Sequence, residues 1–227
     1  SIIQNITKNT RAVIIPYLYG FFRDIKDLLK IAKQNNLIII EDAAQAIGSR
    51  INNLHSGSQG DFGIFSFHSH KNITTLGEGG MIAVKDTLIS DEIPKLRHNG
   101  HCNFKFNRES FWKPAMGNLD VSEIDGDIYL PNNYCISEIQ CALGTALLDR
   151  VDEINKIKRN RALSFISELE NFEALKFHKV NSPQHNYHLL AAYFDKPNLR
   201  DKFFKIMAEE EGVQCAVQYY PLNRYDF

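Results

Sequence analysis

The sequence predicts an α/β fold, and three observations indicate it. Short apolar runs alternate with amphipathic stretches through the first half of the chain, as in folds whose helices cover a parallel sheet. Residues 37–40 are apolar at every position, which is typical of a strand buried on both faces. Near the C-terminus, a β-α-β pattern follows at residues 187–194, 199–211 and 213–219. We therefore expect two domains.

The predicted large domain covers residues 1–150 and contains a mostly parallel sheet. Its strands are predicted at residues 12–15, 37–40, 62–68 and 81–84. Residues 24–34 are predicted to form a helix, because their apolar side chains recur on one helical face. Residues 99–133, rich in Asn, Gly and Pro, are expected to be irregular.

A long helix is predicted to start at Ser137 and to lead into the smaller α+β domain, residues 151–227. Ser137 stands three residues before Gln140, which matches a capping box. The helical pattern continues to about residue 169, with a bend expected along the way.

Composition disfavours several functional classes. The chain of 227 residues is 44% hydrophobic and 23% charged, which is ordinary for a globular protein. Its formal net charge of -1 gives no field that would attract nucleic acid, and its apolar runs are too short to span a bilayer. The four cysteines form no CxxC pair, which favours reduced thiols in the cytoplasm.

Residues 66–80, SFHSHKNITTLGEGG, carry the most informative lysine, Lys71. A phosphate-binding P-loop would place the lysine after its glycines, whereas Lys71 precedes them. His68 and His70 would share a face of a strand, but a zinc site needs three or four suitably spaced ligands. We therefore predict no metal site, and Lys71 is either a surface cation or a catalytic amine.

A catalytic amine with pyridoxal phosphate requires support from other side chains. A carboxylate keeps the ring nitrogen protonated, hydroxyls hold the phosphate, and the lysine binds the cofactor covalently. Asp42, after a buried strand, and Ser66, five residues before Lys71, have suitable chemistry. Taken singly, an acid at a strand end is often a helix cap and a serine in a strand usually packs, so both interpretations stay open here.

Five motifs in order resemble one enzyme family. They are EDAAQA at 41–46, GDFG at 60–63, FSF at 65–67, KNITT at 71–75 and GEGG at 77–80. Together they are similar to the DegT/DnrJ/EryC1/StrS aminotransferases, which use pyridoxal 5'-phosphate to aminate keto sugars. The similarity extends through residues 6–20, 96–100, 133–134 and 218–222.

This resemblance implies a fold-type I aminotransferase and a role for each matched residue. Lys71 would form the Schiff base, Asp42 would pair with the pyridinium nitrogen, Gln45 would lie on the ring-hydroxyl side, and Ser66 would bind the phosphate. Asn133 would reach the phosphate in the neighbouring subunit, which implies a homodimer. The implied reaction moves an amino group from L-glutamate to a keto sugar in surface polysaccharide or amino-sugar biosynthesis, and we expect that sugar to be linked to a nucleotide.

Three departures from the family pattern accompany these matches. Tyr17 stands where the family usually has His, and Cys135 stands where an arginine commonly follows Asn-Tyr. The sequence is also shorter than family members, so we expect it to be a fragment that lacks a C-terminal tail and the N-terminal portion, which supplies a phosphate-binding turn in relatives.

Two other functions remain as alternatives. One is a keto-sugar dehydratase of the same fold, in which a histidine replaces the lysine, and His70 adjoins Lys71. The other is a non-catalytic relative that binds the cofactor.

Overall fold

The computed structural model describes residues 2–102, 118–221 and 224–225. The described chain divides into two compact units. One contains residues 1–160 and 181–189, and the other contains residues 161–180 and 190–227.

The regular elements within the described residues are short strands, six α-helices and a 3-10 helix at Leu18–Gly20. The helices are α1 (Ile2–Asn5), α2 (Lys26–Gln34), α3 (Thr87–Arg97), α4 (Glu138–Leu148), α5 (Val151–Glu168) and α6 (Pro197–Glu209). The strands are β1 (Ala12–Pro16), β2 (Ile38–Asp42), β3 (Arg50–Ile51), β4 (Leu54–His55), β5 (Phe62–Ser66), β6 (Gly80–Val84), β7 (His101–Cys102), β8 (Asn118–Leu119), β9 (Ser122–Ile124), β10 (Asp127–Tyr129), β11 (Leu175–Phe177) and β12 (Ala192–Phe194).

The first unit is built on a four-stranded sheet with the order β1-β2-β5-β6. β1, β2 and β5 run parallel, and β6 returns antiparallel to β5. All four strands predicted in the first half are present, with ends within two residues of the predicted ones. The predicted mostly parallel α/β architecture is therefore confirmed.

The two faces of this sheet differ in burial. Ile25, just before α2, and Ala32, within α2, pack against Leu37 and Ile39 in one apolar cluster. The opposite face exposes Ile14, Ile38, Ile64 and Ile82, which are 41–64% accessible. The prediction that residues 37–40 are buried on both faces is therefore wrong for this chain, because the described residues cover only one face of the sheet.

The long helix predicted from Ser137 is confirmed with a break. Ser137 caps α4 in a capping box with Gln140, and α5 starts at Val151 after two intervening residues. α3 was not predicted from the sequence, and it carries Pro94 within it. The irregular region predicted at residues 99–133 contains β7 to β10, while residues 103–117 lie outside the described part.

Of the two strands predicted near the C-terminus, the first is shorter than predicted and the second is absent from the described structure. Of residues 187–194, only β12 is a strand, because Tyr187 has a positive φ of 48° and stacks its ring on His185. Residues 213–219 form no strand in the described structure. In the second unit, β12 pairs antiparallel with β11, and Phe194 of β12 contacts Phe203 of α6.

Candidate active site

Asp42 is the last residue of β2, at the carboxyl edge of the parallel strands. Its neighbours in register are Pro16 of β1 and Ile64 of β5. Asp42 Oδ1 accepts a hydrogen bond from the N–H of Ala44 at 3.1 Å, and the carboxylate is half-buried. The register places Asp42 and Ser66, at the end of β5, on the same exposed face of the sheet. Ligands bind at this edge in open α/β sheets.

The residue before Asp42, Glu41, is fully buried on the opposite face. Its carboxylate accepts four hydrogen bonds: from Tyr17 Oη at 2.6 Å, and from the N–H groups of Gly57, Gln59 and Gly60 at 3.1, 2.6 and 2.7 Å. A buried carboxylate is tolerated when its lone pairs are satisfied in this way. Glu41 therefore ties the end of β2 to two neighbouring segments and fixes the backbone that carries Asp42.

Tyr17 supplies the only side-chain donor to Glu41 among the described residues. Burial raises the pKa of Tyr17 far above its usual value, and the hydrogen bond to Glu41 and the charge of that carboxylate add to the rise. Tyr17 therefore remains a protonated donor at neutral pH. Tyr17, which departs from the family pattern, therefore stabilises the buried carboxylate of Glu41.

Lys71 lies in the loop that joins β5 to β6. The N–H groups of Phe67 and Ser69 donate to the carbonyls of Gly79 and Gly77, each at 2.7 Å, so the loop is narrow at its base. The N–H of Lys71 donates to the carbonyl of His68 at 2.9 Å. Lys71 is half-buried, and its amine has no hydrogen bond or ion pair with the described part of the chain.

Ile73 holds this loop against the helices that follow. It is 1% exposed and packs with Ile47 and Phe67. Partly buried apolar residues of α4 and α5 complete the cluster: Leu147, Val151 and Ile154. The helices therefore fix the position of the loop that carries Lys71.

Asn72, next to Lys71, is the centre of a polar network that the sequence did not reveal. Its Nδ2 donates to Asn155 Oδ1 at 2.8 Å and to the carbonyl of Asn186 at 3.4 Å. Its Oδ1 accepts from Lys158 Nζ at 2.9 Å and lies 3.3 Å from His188 Nδ1. These partners are 83 to 116 residues away along the chain, so no local pattern marks them.

The network is electrostatically linked to Lys71. Burial lowers the pKa of His188, and the positive charges of Lys71 and Lys158 lower it further, to about 4. Burial also lowers the pKa of Lys158 from its usual value. His188 is thus a neutral imidazole at physiological pH, close enough to Lys71 to be affected by its charge.

Gln45 belongs to the same part of the structure. Its Oε1 accepts from the N–H of Tyr19 at 2.6 Å, and its carbonyl accepts from Asn186 Nδ2 at 3.0 Å. Asn186, 1% exposed, therefore links the segment of Gln45 to the network around Asn72. Two of the predicted site residues, Gln45 and Lys71, are connected through it.

Gly20 provides room for Asn186. A Cβ atom at Gly20 would lie 1.7 Å from Asn186 Oδ1, and the φ of Gly20 is +96°. Only glycine satisfies both constraints at low cost.

The two remaining predicted site residues differ in their surroundings. Ser66 Oγ accepts from the N–H of His68 at 3.3 Å. Asn133 is exposed, forms a bridge with His98, and accepts from the N–H of Cys135 at 3.3 Å. The described contacts of Asn133 do not include Lys71 or Asp42.

The histidines of the loop have other partners. The rings of His68 and His70 meet edge to face at 4.9 Å, and His68 Nε2 lies 3.6 Å from Glu78 Oε1. Within the described ranges, no three His, Cys, Asp or Glu side chains are grouped to hold a metal ion. In the same part of the chain, no helix has both the length and the apolar character needed to cross a membrane.

The family model for the DegT/DnrJ/EryC1/StrS aminotransferase family matches residues 1–227. The chain belongs to this family. Pyridoxal 5'-phosphate is the cofactor of DegT/DnrJ/EryC1/StrS aminotransferases, so the family and the cofactor predicted from the sequence are both confirmed.

One similar relative is the GDP-perosamine synthase of Vibrio cholerae, 32% identical over 221 residues. The alignment covers 97% of this chain and 55% of that protein, so the chain spans about half the length of the curated relative.

Two solved structures have the same fold. PseC of Helicobacter pylori, an aminotransferase involved in the biosynthesis of pseudoaminic acid, superposes with a TM-score of 0.82 at 21% identity, over 99% of this chain and 56% of that chain. The Escherichia coli GDP-4-keto-6-deoxy-D-mannose-3-dehydratase with bound hydrated PLP superposes with a TM-score of 0.75 at 19% identity, over 95% and 55%. At these identities the likeness shows the fold alone. The two structures show that an aminotransferase and a dehydratase can both have this fold.

Proposed function

We propose that this chain forms the lysine-bearing part of an aminotransferase that moves an amino group from L-glutamate to a keto sugar linked to a nucleotide. The observation that carries the proposal is Lys71, in the family's lysine motif, half-buried and with its amine free of described partners. The GDP-perosamine synthase relative, whose name contains a nucleotide-linked amino sugar, supports this substrate class.

The residues present fit pyridoxal phosphate. Asp42 and Ser66 share one face at the ends of neighbouring parallel strands, where a carboxylate and a hydroxyl can serve the two ends of one small molecule. Among the described residues, Asp42 uses one carboxylate oxygen, which leaves the other for a ligand N–H. The hydroxyl of Thr74, three residues after Lys71, is buried without a partner among the described residues.

Each residue then has a defined chemical task. When bound, pyridoxal phosphate supplies the electron sink for transamination. The Lys71 amine holds the cofactor and, once released, removes and returns the proton at the substrate carbon. Asp42 accepts the hydrogen bond of the ring nitrogen and favours its charged form. Ser66 donates its hydroxyl to the phosphate, and Gln45 lies on the ring-hydroxyl side.

Asn133 is proposed to act in a second subunit of a homodimer. Exposed apolar side chains surround it in the sequence: Leu130, Tyr134 and Ile139 are 72–76% accessible. Exposed apolar groups of this kind support a protein–protein interface. The proposed compartment is the cytoplasm, and the four cysteines support it, since none of them forms a disulfide within the described structure.

The Lys71→Ala substitution tests the assignment in the full-length protein that contains this chain. We expect the visible absorbance of bound cofactor to disappear and amino transfer from glutamate to fall by roughly 10²–10⁴-fold, since a proton-transfer group is lost. Both are measured by spectroscopy of the glutamate half-reaction followed by product analysis with a panel of nucleotide-linked keto sugars.

The matched control is His70→Ala, because His70 is exposed and adjoins Lys71. It should retain cofactor absorbance and activity. Loss of absorbance in His70→Ala but not in Lys71→Ala would assign the key position to His70 and favour the dehydratase. Cofactor binding without any glutamate half-reaction would favour a non-catalytic relative.

A further inference from the structure

The side chain of Asn72 satisfies its full hydrogen-bonding capacity inside the first unit. Its amide nitrogen faces two oxygens, Asn155 Oδ1 and the Asn186 carbonyl, while its oxygen faces the ammonium of Lys158. A flipped amide would place its nitrogen against that ammonium and its oxygen against two acceptors. The partners therefore fix the orientation of the amide.

This orientation also fixes the tautomer of His188. Asn72 Oδ1 can only accept, so His188 Nδ1, 3.3 Å away, carries the hydrogen. Nε2 then holds the lone pair. The backbone of His188 is held as well, because its N–H donates to Asn186 Oδ1 at 2.9 Å.

The anchors of the network are rigid. Asn155 and Asn186 are 4% and 1% exposed, and both donate to the carbonyl of Ile47, at 2.9 and 3.0 Å. Lys158 follows Asn155 by three residues in α5, so it lies on the same helical face. Asn72 is thus bonded to a buried base formed from three distant segments of the chain.

The charges around this amide are unbalanced. Lys158 has no carboxylate partner among the described residues, and its only hydrogen bond there is to Asn72 Oδ1. Burial lowers the pKa of His188, and the positive charges of Lys71 and Lys158 lower it further. The imidazole is therefore neutral at physiological pH.

We propose that Asn72 is a positioning residue, which holds its neighbour Lys71 in place through the hydrogen bonds of its side chain with Asn155, Asn186 and Lys158. These hydrogen bonds act on the residue bonded directly to Lys71, so their loss lets the amine move relative to the sheet edge at Asp42. This role rests on the proposed function only insofar as Lys71 binds the cofactor. The network itself is testable without any ligand.

The first experiment is an NMR titration of the histidine side chains in the cofactor-free protein. His188, assigned by its absence in His188→Gln, should titrate with a pKa near 4 in the wild type. Lys158→Met and Lys71→Met should each raise that value toward the ordinary pKa of about 6.5. Asn72→Asp should raise it above that of the wild type, because a carboxylate then faces the imidazole.

Lys156→Met is the matched control, since Lys156 is an exposed lysine of the same helix. It should leave the titration of His188 unchanged. A wild-type His188 that titrates near its ordinary value, or whose pKa changes equally in Lys156→Met and Lys158→Met, would overturn the network.

The second experiment measures covalent attachment of pyridoxal phosphate to position 71, fixed by borohydride and located by peptide mass. Asn72→Leu should raise the cofactor concentration for half-maximal attachment by roughly tenfold, comparable to the loss of a hydrogen bond to a charged group. Asn72→Asp, which keeps the acceptor for Lys158, should recover part of the loss.

The outcomes separate the two proposals. Attachment in Asn72→Leu at the wild-type concentration refutes the positioning role while the proposed function stands. A wild type that never attaches the cofactor at Lys71 refutes the proposed function, and the histidine titration still decides the network. Circular dichroism of each variant shows whether it is folded.

Discussion

At the scale of single residues, hydrogen bonds from distant segments hold Asn72, the neighbour of the proposed reactive residue Lys71. Lys71 and Asp42 were predicted from the sequence because their types and spacing match a motif. Asn72, Asn155 and His188 were missed because hydrogen bonds across long sequence separations create their roles. Only the position of Asn72, within KNITT and beside Lys71, could have pointed to it.

Tyr17 and Glu41 illustrate the same limit and provide a prediction. Tyr17→Phe removes one of the four donors to a buried carboxylate, so we expect the free energy of unfolding to fall by about 1–3 kcal/mol at pH 7. Urea denaturation monitored by circular dichroism measures this difference.

The pH dependence of that difference has a definite sign. The pKa of Tyr17 is higher in the folded state, so the unfolded state releases its proton first as the pH rises. The advantage of the wild type over Tyr17→Phe should therefore be constant below about pH 10, the ordinary tyrosine pKa, and shrink above it. An advantage that grows between pH 9 and pH 11 would show that Tyr17 is not the protonated donor to Glu41.

At the scale of elements, local patterns predicted those that have their own signals. β1, β2 and α2 follow apolar periodicity, and α4 follows its capping box. α3 escaped prediction because it has no buried residue and contains Pro94, which interrupts the helical pattern. The strand predicted at 187–194 failed because Tyr187 takes a left-handed conformation and Asn186 and His188 are bonded to the polar network.

The capping box of α4 also contacts the loop of Lys71. Gln140 accepts from the N–H of Ser137 at 3.1 Å and donates to the carbonyl of Glu78 at 3.0 Å. Ser137→Ala should lower the free energy of unfolding by about 1 kcal/mol through loss of the cap alone. Gln140→Ala should cost at least as much and should also weaken cofactor binding, since the contact with the loop is lost.

Asp86→Ala provides the comparison for this pair. Asp86 caps α3 through the N–H of Leu88 at 2.8 Å, and within the described structure it forms no hydrogen bond or ion pair with residues 66–80. It should cost a similar amount of stability without changing cofactor affinity, measured by thermal denaturation and by titration of cofactor absorbance. Equal effects of Gln140→Ala and Asp86→Ala on cofactor affinity would argue against the link between α4 and the loop.

At the scale of the whole molecule, the sequence predicted the sheet but not how much of it is covered. A run of apolar residues indicates that a strand could be buried on both faces. Whether it is buried depends on which other elements pack against each face. Asp42 and Ser66 lie on the face of the sheet that stays open in this chain, beside exposed isoleucines. The proposed cofactor edge therefore borders an apolar surface.

This apolar face gives the last prediction. Contiguous exposed apolar surface favours association, so the 227-residue chain on its own should bind the dye ANS and sediment as more than a monomer. Ile14→Thr with Ile64→Thr keeps β-branched side chains in β1 and β5 while making the face polar. The double variant should lose at least half of the dye fluorescence and shift toward the monomer.

Leu88→Ala, which removes an exposed side chain of α3, should change neither measurement. Dye binding that persists in the double variant would show that the apolar surface that binds ANS is not the open face of the sheet.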